Sequence, residues 1–103
     1  AGLRAAHKWI EKAETTVQIT HAPPADTKLD IIFSGAHVGS EAVRKIIQEF
    51  RPAVAISAHI HEAKGIDTLG QTKIINPGRF PEGTCALITL EKGLVDAEIL
   101  NLI

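Results

Sequence analysis

Three of the five histidines sit where a chain could gather them. His21 directly follows the β-branched run Thr15-Thr16-Val17-Gln18-Ile19-Thr20, and His59 and His61 directly follow the apolar run Ala53-Val54-Ala55-Ile56-Ser57. If both runs are strands and lie side by side, the three imidazoles collect at one sheet edge. His59 and His61 are two residues apart, so an extended chain turns both to the same side. Neutral imidazole is the commonest side-chain metal ligand and suits Mn, Fe, Ni and Zn. A metal centre is the chemistry this placement suggests. An H-x-H pair by itself is also what a solvated surface supplies, and His21 in the matching place is what adds weight. His7 reads as a helix side chain. His37, in Gly35-Ala36-His37-Val38-Gly39, could approach a ligand from a loop or serve as a structural loop residue.

The other polar residues are less telling. Asp26, Asp30 and Glu62 are loop carboxylates without a distinguishing spacing, and each reads as a solvated surface group. Lys28, Lys64 and Arg79 could meet phosphate oxygens, Arg79 best through its planar fork, or could keep loops soluble. Gly35, Gly39, Gly65, Gly70 and Gly78 read as turn glycines. Neither G-x-x-x-x-G-K nor G-x-G-x-x-G occurs, so no nucleotide cradle is signalled. Cys85, in an apolar run, reads as an inert buried thiol. Ser34, Ser40 and Ser57 lack the context of an activated nucleophile.

The elements that must position the histidines follow from periodicity. Leu3, Ala6, Ile10 and Ala13 predict an amphipathic helix over residues 3–14. A strand follows to residue 20, and residues 21–38, with two prolines and no clean period, form a long loop. Loops of that length are usually functional or disordered. Ser40 can cap a helix whose apolar face is Ala42, Val43, Ile46, Ile47 and Phe50, with Pro52 beyond its end. Residues 53–57 read as a buried strand. Strand, helix and strand make a βαβ unit with parallel strands. Further strands are expected at 72–76, 83–90 and 94–100, with Asn76-Pro77-Gly78 as a turn. The class is α/β with a mixed sheet, and ligands of such sheets bind beyond the carboxyl ends of the strands.

Composition sets limits. The 103 residues suit one domain or part of one. A formal charge of −1 and an aromatic share of 4% give no basis for nucleic-acid binding. No apolar run approaches a membrane span and no secretory signal pattern is visible. The single cysteine fits a reducing compartment, hence the cytoplasm. The absence of Met suggests a trimmed start or a piece of something longer.

Thr20-His21-Ala22-Pro23-Pro24, Gly39-Ser40-Glu41-Ala42-Val43-Arg44, Ala58-His59-Ile60-His61-Glu62-Ala63 and Asn76-Pro77-Gly78 resemble, in that order, the closing motifs of calcineurin-like metallophosphoesterases. The likeness is to the small single-domain archaeal and bacterial type and spans nearly the whole chain. It implies the C-terminal half of a four-layer αββα sandwich, so that residues 1–103 form a single partial domain. In the complete family site two divalent metals are bridged by an aspartate and a hydroxide that attacks phosphorus. By resemblance, His21 and His59 are ligands of the second metal and His61 of the first. Asn76-Pro77-Gly78 closes beside the site without a ligand role.

Two departures stand out. Ala58 occupies a family glycine position, which would strain the loop if that backbone needs positive φ. The family's D-x-H, G-D and G-N-H motifs, which supply the bridging carboxylate, an asparagine and the acid histidine, are absent. The expectation is therefore a part of a phosphomonoesterase or phosphodiesterase that holds at most one metal alone and is by itself a poor catalyst. A missing N-terminal half, or a homodimer mate, would cover its exposed sheet face. The alternative is a non-catalytic, self-associating module with a vestigial metal or phosphate site. A third, a mononuclear zinc hydrolase, would need all three histidines on one ion.

Overall fold

The computed structural model describes residue 5 and residues 15–92 and 94–102. The helix expected over residues 3–14 lies outside them save for Ala5, and His7 lies outside them too. The first strand, β1 (Val17–Ile19), is shorter than the β-branched run that forms it. The chain then crosses residues 20–40 to α1 (Glu41–Phe50) and returns in β2 (Val54–Ile56). β1 and β2 pair in parallel, with Val17 opposite Val54 and Ile19 opposite Ile56.

Local chemistry sets the bounds of α1. Ser40 is extended (φ −96°, ψ 121°), and its hydroxyl accepts the Val43 N–H at 3.1 Å. Glu41 places negative charge in the first turn. At the far end Arg51 turns left-handed (φ 49°), donates its N–H to the Ile47 carbonyl, and is followed by Pro52. Val43, Ile46 and Ile47 face inward.

β3 (Gly65–Leu69) and β4 (Thr72–Asn76) complete a mixed sheet of order β1-β2-β4-β3, with β4 parallel to β2 and antiparallel to β3. β3 is a strand the sequence analysis does not foresee. Gly65-Ile66-Asp67-Thr68-Leu69 has little apolar alternation. It becomes a strand because Gly70 (φ 61°) and Gln71 fold it back onto β4, which is buried at every residue but Lys73. Leu29, Val43, Ile47, Ala55, Leu69 and Ile74 form the core between α1 and one sheet face.

A second sheet pairs β5 (Thr84–Glu91) with β6 (Leu94–Asn101). Its cross-strand pairs Ala86–Ile99, Ile88–Ala97 and Leu90–Val95 make one face largely apolar, with the polar pair Thr84–Asn101 at its far end. β6 lies against β3. Near the hairpin tip, Leu90 and Leu94 border a concavity of about 300 Å³ shared with Val17 and Ala53. Apolar surface stays open here: Ile19 is 74% exposed, and Leu94 75%. Cys85 is half-buried rather than buried, being on this sheet. Among the described residues no helix is long and apolar enough to cross a membrane.

Candidate metal centre

The parallel pairing of β1 and β2 brings His21 and His59 together. The register runs on past the strands: the Thr20 N–H donates to the Ile56 carbonyl and the Ala58 N–H to the His21 carbonyl, both at 2.9 Å. His21 Nε2 then lies 2.9 Å from His59 Nδ1, with ring centroids 4.7 Å apart at 61°. His59 is left-handed (φ 63°), a conformation uncommon outside glycine. Ala58 is not, so a methyl at that position carries no strain of this kind.

His61 stands apart from the other two. The extended course over residues 59–61 is not what forms. The left-handed His59 is followed by a 3₁₀ turn that begins at the exposed His61, and the three imidazoles do not bring their ligand atoms within 4.8 Å of one another. Among the described residues, only Asp26, Asp30 and His37 bring three ligand atoms within 4.8 Å of one another.

What holds the histidine turn is Asn76. Its side chain is buried, and its Nδ2 donates to the carbonyl of Ile60, the residue between His59 and His61, at 2.8 Å. Its Oδ1 accepts the Gly78 N–H at 3.0 Å. Composition marked Asn76-Pro77-Gly78 only as a turn. The signal available was an Asn at a strand end next to Pro-Gly, which does not say what its amide would reach.

Asp30 departs from the surface role its sequence suggested, since it has no exposed surface at all. Its Oδ2 accepts the N–H groups of Asp26 (2.8 Å) and Gly39 (3.0 Å), and its Oδ1 that of Thr27 (3.1 Å) and the Nδ1–H of His37 (2.6 Å). Gly39 is a close-approach glycine rather than a turn glycine. A Cβ there would sit 2.8 Å from Asp30 Cβ and 2.8 Å from the Pro24 carbonyl oxygen. Burial is the strongest single influence on Asp30 and pushes its pKa up. The His37 bond and the N–H groups of Gly39, Asp26 and Thr27 together outweigh it and hold the carboxyl below its ordinary 3.8. The same bond to Asp30, opposed by desolvation and aided by the charges of Asp30 and Asp26, raises His37 above its ordinary 6.5. Asp26, Asp30 and His37 could be grouped as cation ligands by distance. Four N–H donors already occupy the Asp30 oxygens, and His37 presents a proton to them rather than a lone pair.

Asp26 and Glu62 are exposed as expected, although the Glu62 carboxylate accepts the Phe33 N–H at 3.3 Å. The Arg79 guanidinium pairs with Glu82 at 3.3 Å. Arg44, on α1, donates to the carbonyls of Ala25 (2.8 Å) and Asp26 (3.1 Å), fastening the loop to the helix.

Residues 4–100 match the family model described as metallophosphoesterase, calcineurin superfamily. The chain belongs to that family. It is 43% identical over 72 residues to uncharacterized protein MJ1162 of Methanocaldococcus jannaschii, covering 66% of this chain and 33% of that protein. A UPF0046 protein of Caenorhabditis elegans is 31% identical over 83 residues, covering 73% of this chain and 28% of its own length. The chain thus spans about a third or less of these relatives. One solved structure matches with TM-score 0.70 and 28% identity, over 94% of this chain and 38% of that one. The crystal structure of TT1561 of Thermus thermophilus matches with TM-score 0.66 over 100% of this chain and 41% of that one. At 24% identity this second likeness is one of fold. The fold is that of a metallophosphoesterase: a mixed sheet entered through a βαβ unit.

A metallophosphoesterase is metal-dependent, so the fit of a divalent cation is a test the geometry can meet or fail. Two neighbouring ligand nitrogens, each about 2.1 Å from one ion and about 90° apart, are separated by roughly 3 Å. His21 Nε2 and His59 Nδ1 have that separation. Without an ion, one ring N–H donating to the other's lone pair accounts for the same distance. The donor set fits.

Proposed function

We propose that this chain contributes the histidine side of a divalent-metal phosphoesterase centre that hydrolyses phosphomonoesters or phosphodiesters. The observation that carries the reading is the 2.9 Å approach of His21 and His59 at the carboxyl ends of two parallel strands. His21 and His59 would hold one ion. His61, outside that pair, would serve the other, in keeping with the roles the family motifs imply. Mn, Fe, Ni and Zn all suit imidazole. A cation in such a site supplies a Lewis acid for phosphoryl oxygen and an acidified water. The residues of this chain do the positioning: Asn76 fixes the turn that carries His59 and His61, and the β1–β2 register fixes His21 against His59.

Full activity would need carboxylates from an N-terminal half carrying D-x-H, G-D and G-N-H, or from a homodimer mate. Two metals in close proximity repel unless anionic groups lie between them, so this chain alone would hold at most one. The open apolar side chains of Ile19 and Leu94, and the coverage of only a third of the relatives, support a missing covering half. The single free thiol supports a cytoplasmic setting. Mixing this chain with such an N-terminal half in Mn²⁺ should restore hydrolysis of 4-nitrophenyl phosphate or its diester. A folded, metal-loaded mixture without turnover would overturn the proposal.

A further inference from the structure

A concavity of about 410 Å³ lies beside the histidine turn, outside the groups used so far. One wall is the small hairpin of residues 31–37. It is closed by the Ile31–His37 bridge, the Ile32 N–H to the Ala36 carbonyl (3.0 Å) and the Gly35 N–H to the Ile32 carbonyl (2.8 Å). The other wall is Glu62-Ala63-Lys64, directly after His61. The hairpin tip is pinned across the gap by the Phe33 N–H bond to Glu62. The Phe33 ring is left 92% exposed on the rim. Lys28 and Lys64 complete the lining. The Lys64 stem packs by Gly78, where a Cβ would come 3.1 Å from its Cδ. The Lys28 backbone is tied to Asp67 at 3.0 Å. Neither ammonium has a carboxylate partner among the described residues, whereas the Arg79 guanidinium, the third cation singled out in the sequence, does.

Of the charged side chains that line the concavity two are lysines and one is a carboxylate, with Asp67 held at the Lys28 backbone just outside, and an open ring beside them offers a flat apolar surface. We propose that this concavity is a subsite for a planar apolar group bearing its own negative charge, the leaving-group portion of a doubly anionic phosphate ester. Only the name leaving group rests on the phosphoesterase reading; binding at the subsite does not. Lysine ammonium is a point charge without a preferred fork geometry, so a carboxylate or a phosphate can fill the anionic place. Exposure keeps each charge contact weak, and the ring adds stacking area.

The test is an amide-resolved NMR titration of the metal-free full chain with four probes: benzoate, phenyl phosphate, inorganic phosphate and benzyl alcohol. Benzoate and phenyl phosphate should shift the amides of Phe33, Gly35 and Lys64. Stronger shifts with one of them would say which anion is preferred. Inorganic phosphate, lacking the ring, and benzyl alcohol, lacking the charge, should bind several-fold more weakly. Lys28→Gln with Lys64→Gln, and separately Phe33→Ala, should each weaken benzoate or phenyl phosphate at least about threefold. Lys45→Gln on α1 should not. Shifts scattered over unrelated lysines, equal binding of all four probes, or unchanged binding in both variants would overturn the subsite. If the mixed halves show no turnover while these shifts remain, the phosphoesterase reading fails and the subsite stands. Turnover without the shifts has the opposite meaning.

Discussion

Residues 20–40 contain no long element of regular structure, yet one buried carboxylate orders them. β5 and β6 are regular from end to end, yet their apolar side chains stay half-exposed. The first region gathers its donors inward: Asp26, Thr27, His37 and Gly39 all donate to Asp30. The second completes its backbone ladder but leaves Leu87, Leu90 and Leu94 open to solvent. The loop around Asp30 thus meets its polar groups within itself, whereas the hairpin leaves apolar side chains uncovered among the described residues. Regular secondary structure and completeness of packing are separate properties, and here the stretch around Asp30 has the second and the hairpin the first, while residues 33–38 of the same loop stay exposed.

The largest expected break of that contrast is Asp30→Ala. It leaves four N–H donors without their shared acceptor, the Thr27 N–H among them buried, and should cost about 3–5 kcal/mol in urea unfolding. Gly39→Ala forces a methyl against Asp30 and the Pro24 carbonyl and should cost about 1–3 kcal/mol by the same measurement. Next comes pH. His37 is raised in the folded chain, so its contribution is full below 6.5 and fades as pH rises through its folded value. Asp30 is lowered, so its contribution is full above 3.8 and fades as pH falls through its folded value. Hydrogen exchange at Val38 and Gly39 should therefore be slowest, after correction for intrinsic rates, between those limits. His37→Gln should flatten the alkaline limb. The smallest effect is at the hairpin: Leu94→Thr should change stability by no more than about 0.5 kcal/mol. The same substitution should weaken self-association, read by sedimentation, or pairing with an N-terminal half.

Much of the sheet was legible because periodicity and β-branching speak directly of strands, and the βαβ unit follows from their order. β4 lies where the apolar run 72–76 puts it, whereas β3 owes its existence to the turn at Gly70 and to its partner. The meeting of His21 and His59 was legible from topology: both follow parallel strands that turned out to be neighbours. The separation of His61 is not, since H-x-H spacing puts both rings on one side only in extended chain and the backbone turns left-handed at His59. Asp30 and Asn76 were illegible for a shared reason. A buried polar side chain is recognised by the backbone groups around it, and no spacing in the sequence records which N–H or carbonyl the fold will bring near.

The central claim is that His21 and His59 form one cation site in this chain. Calorimetric titration of the isolated chain with Mn²⁺ and Zn²⁺, alongside His21→Ala, His59→Ala and His61→Ala, addresses it most directly. The account predicts one ion per chain, lost in the first two variants and kept in the third. No ion or two ions on the isolated chain, or unchanged binding in both His21→Ala and His59→Ala, would contradict it.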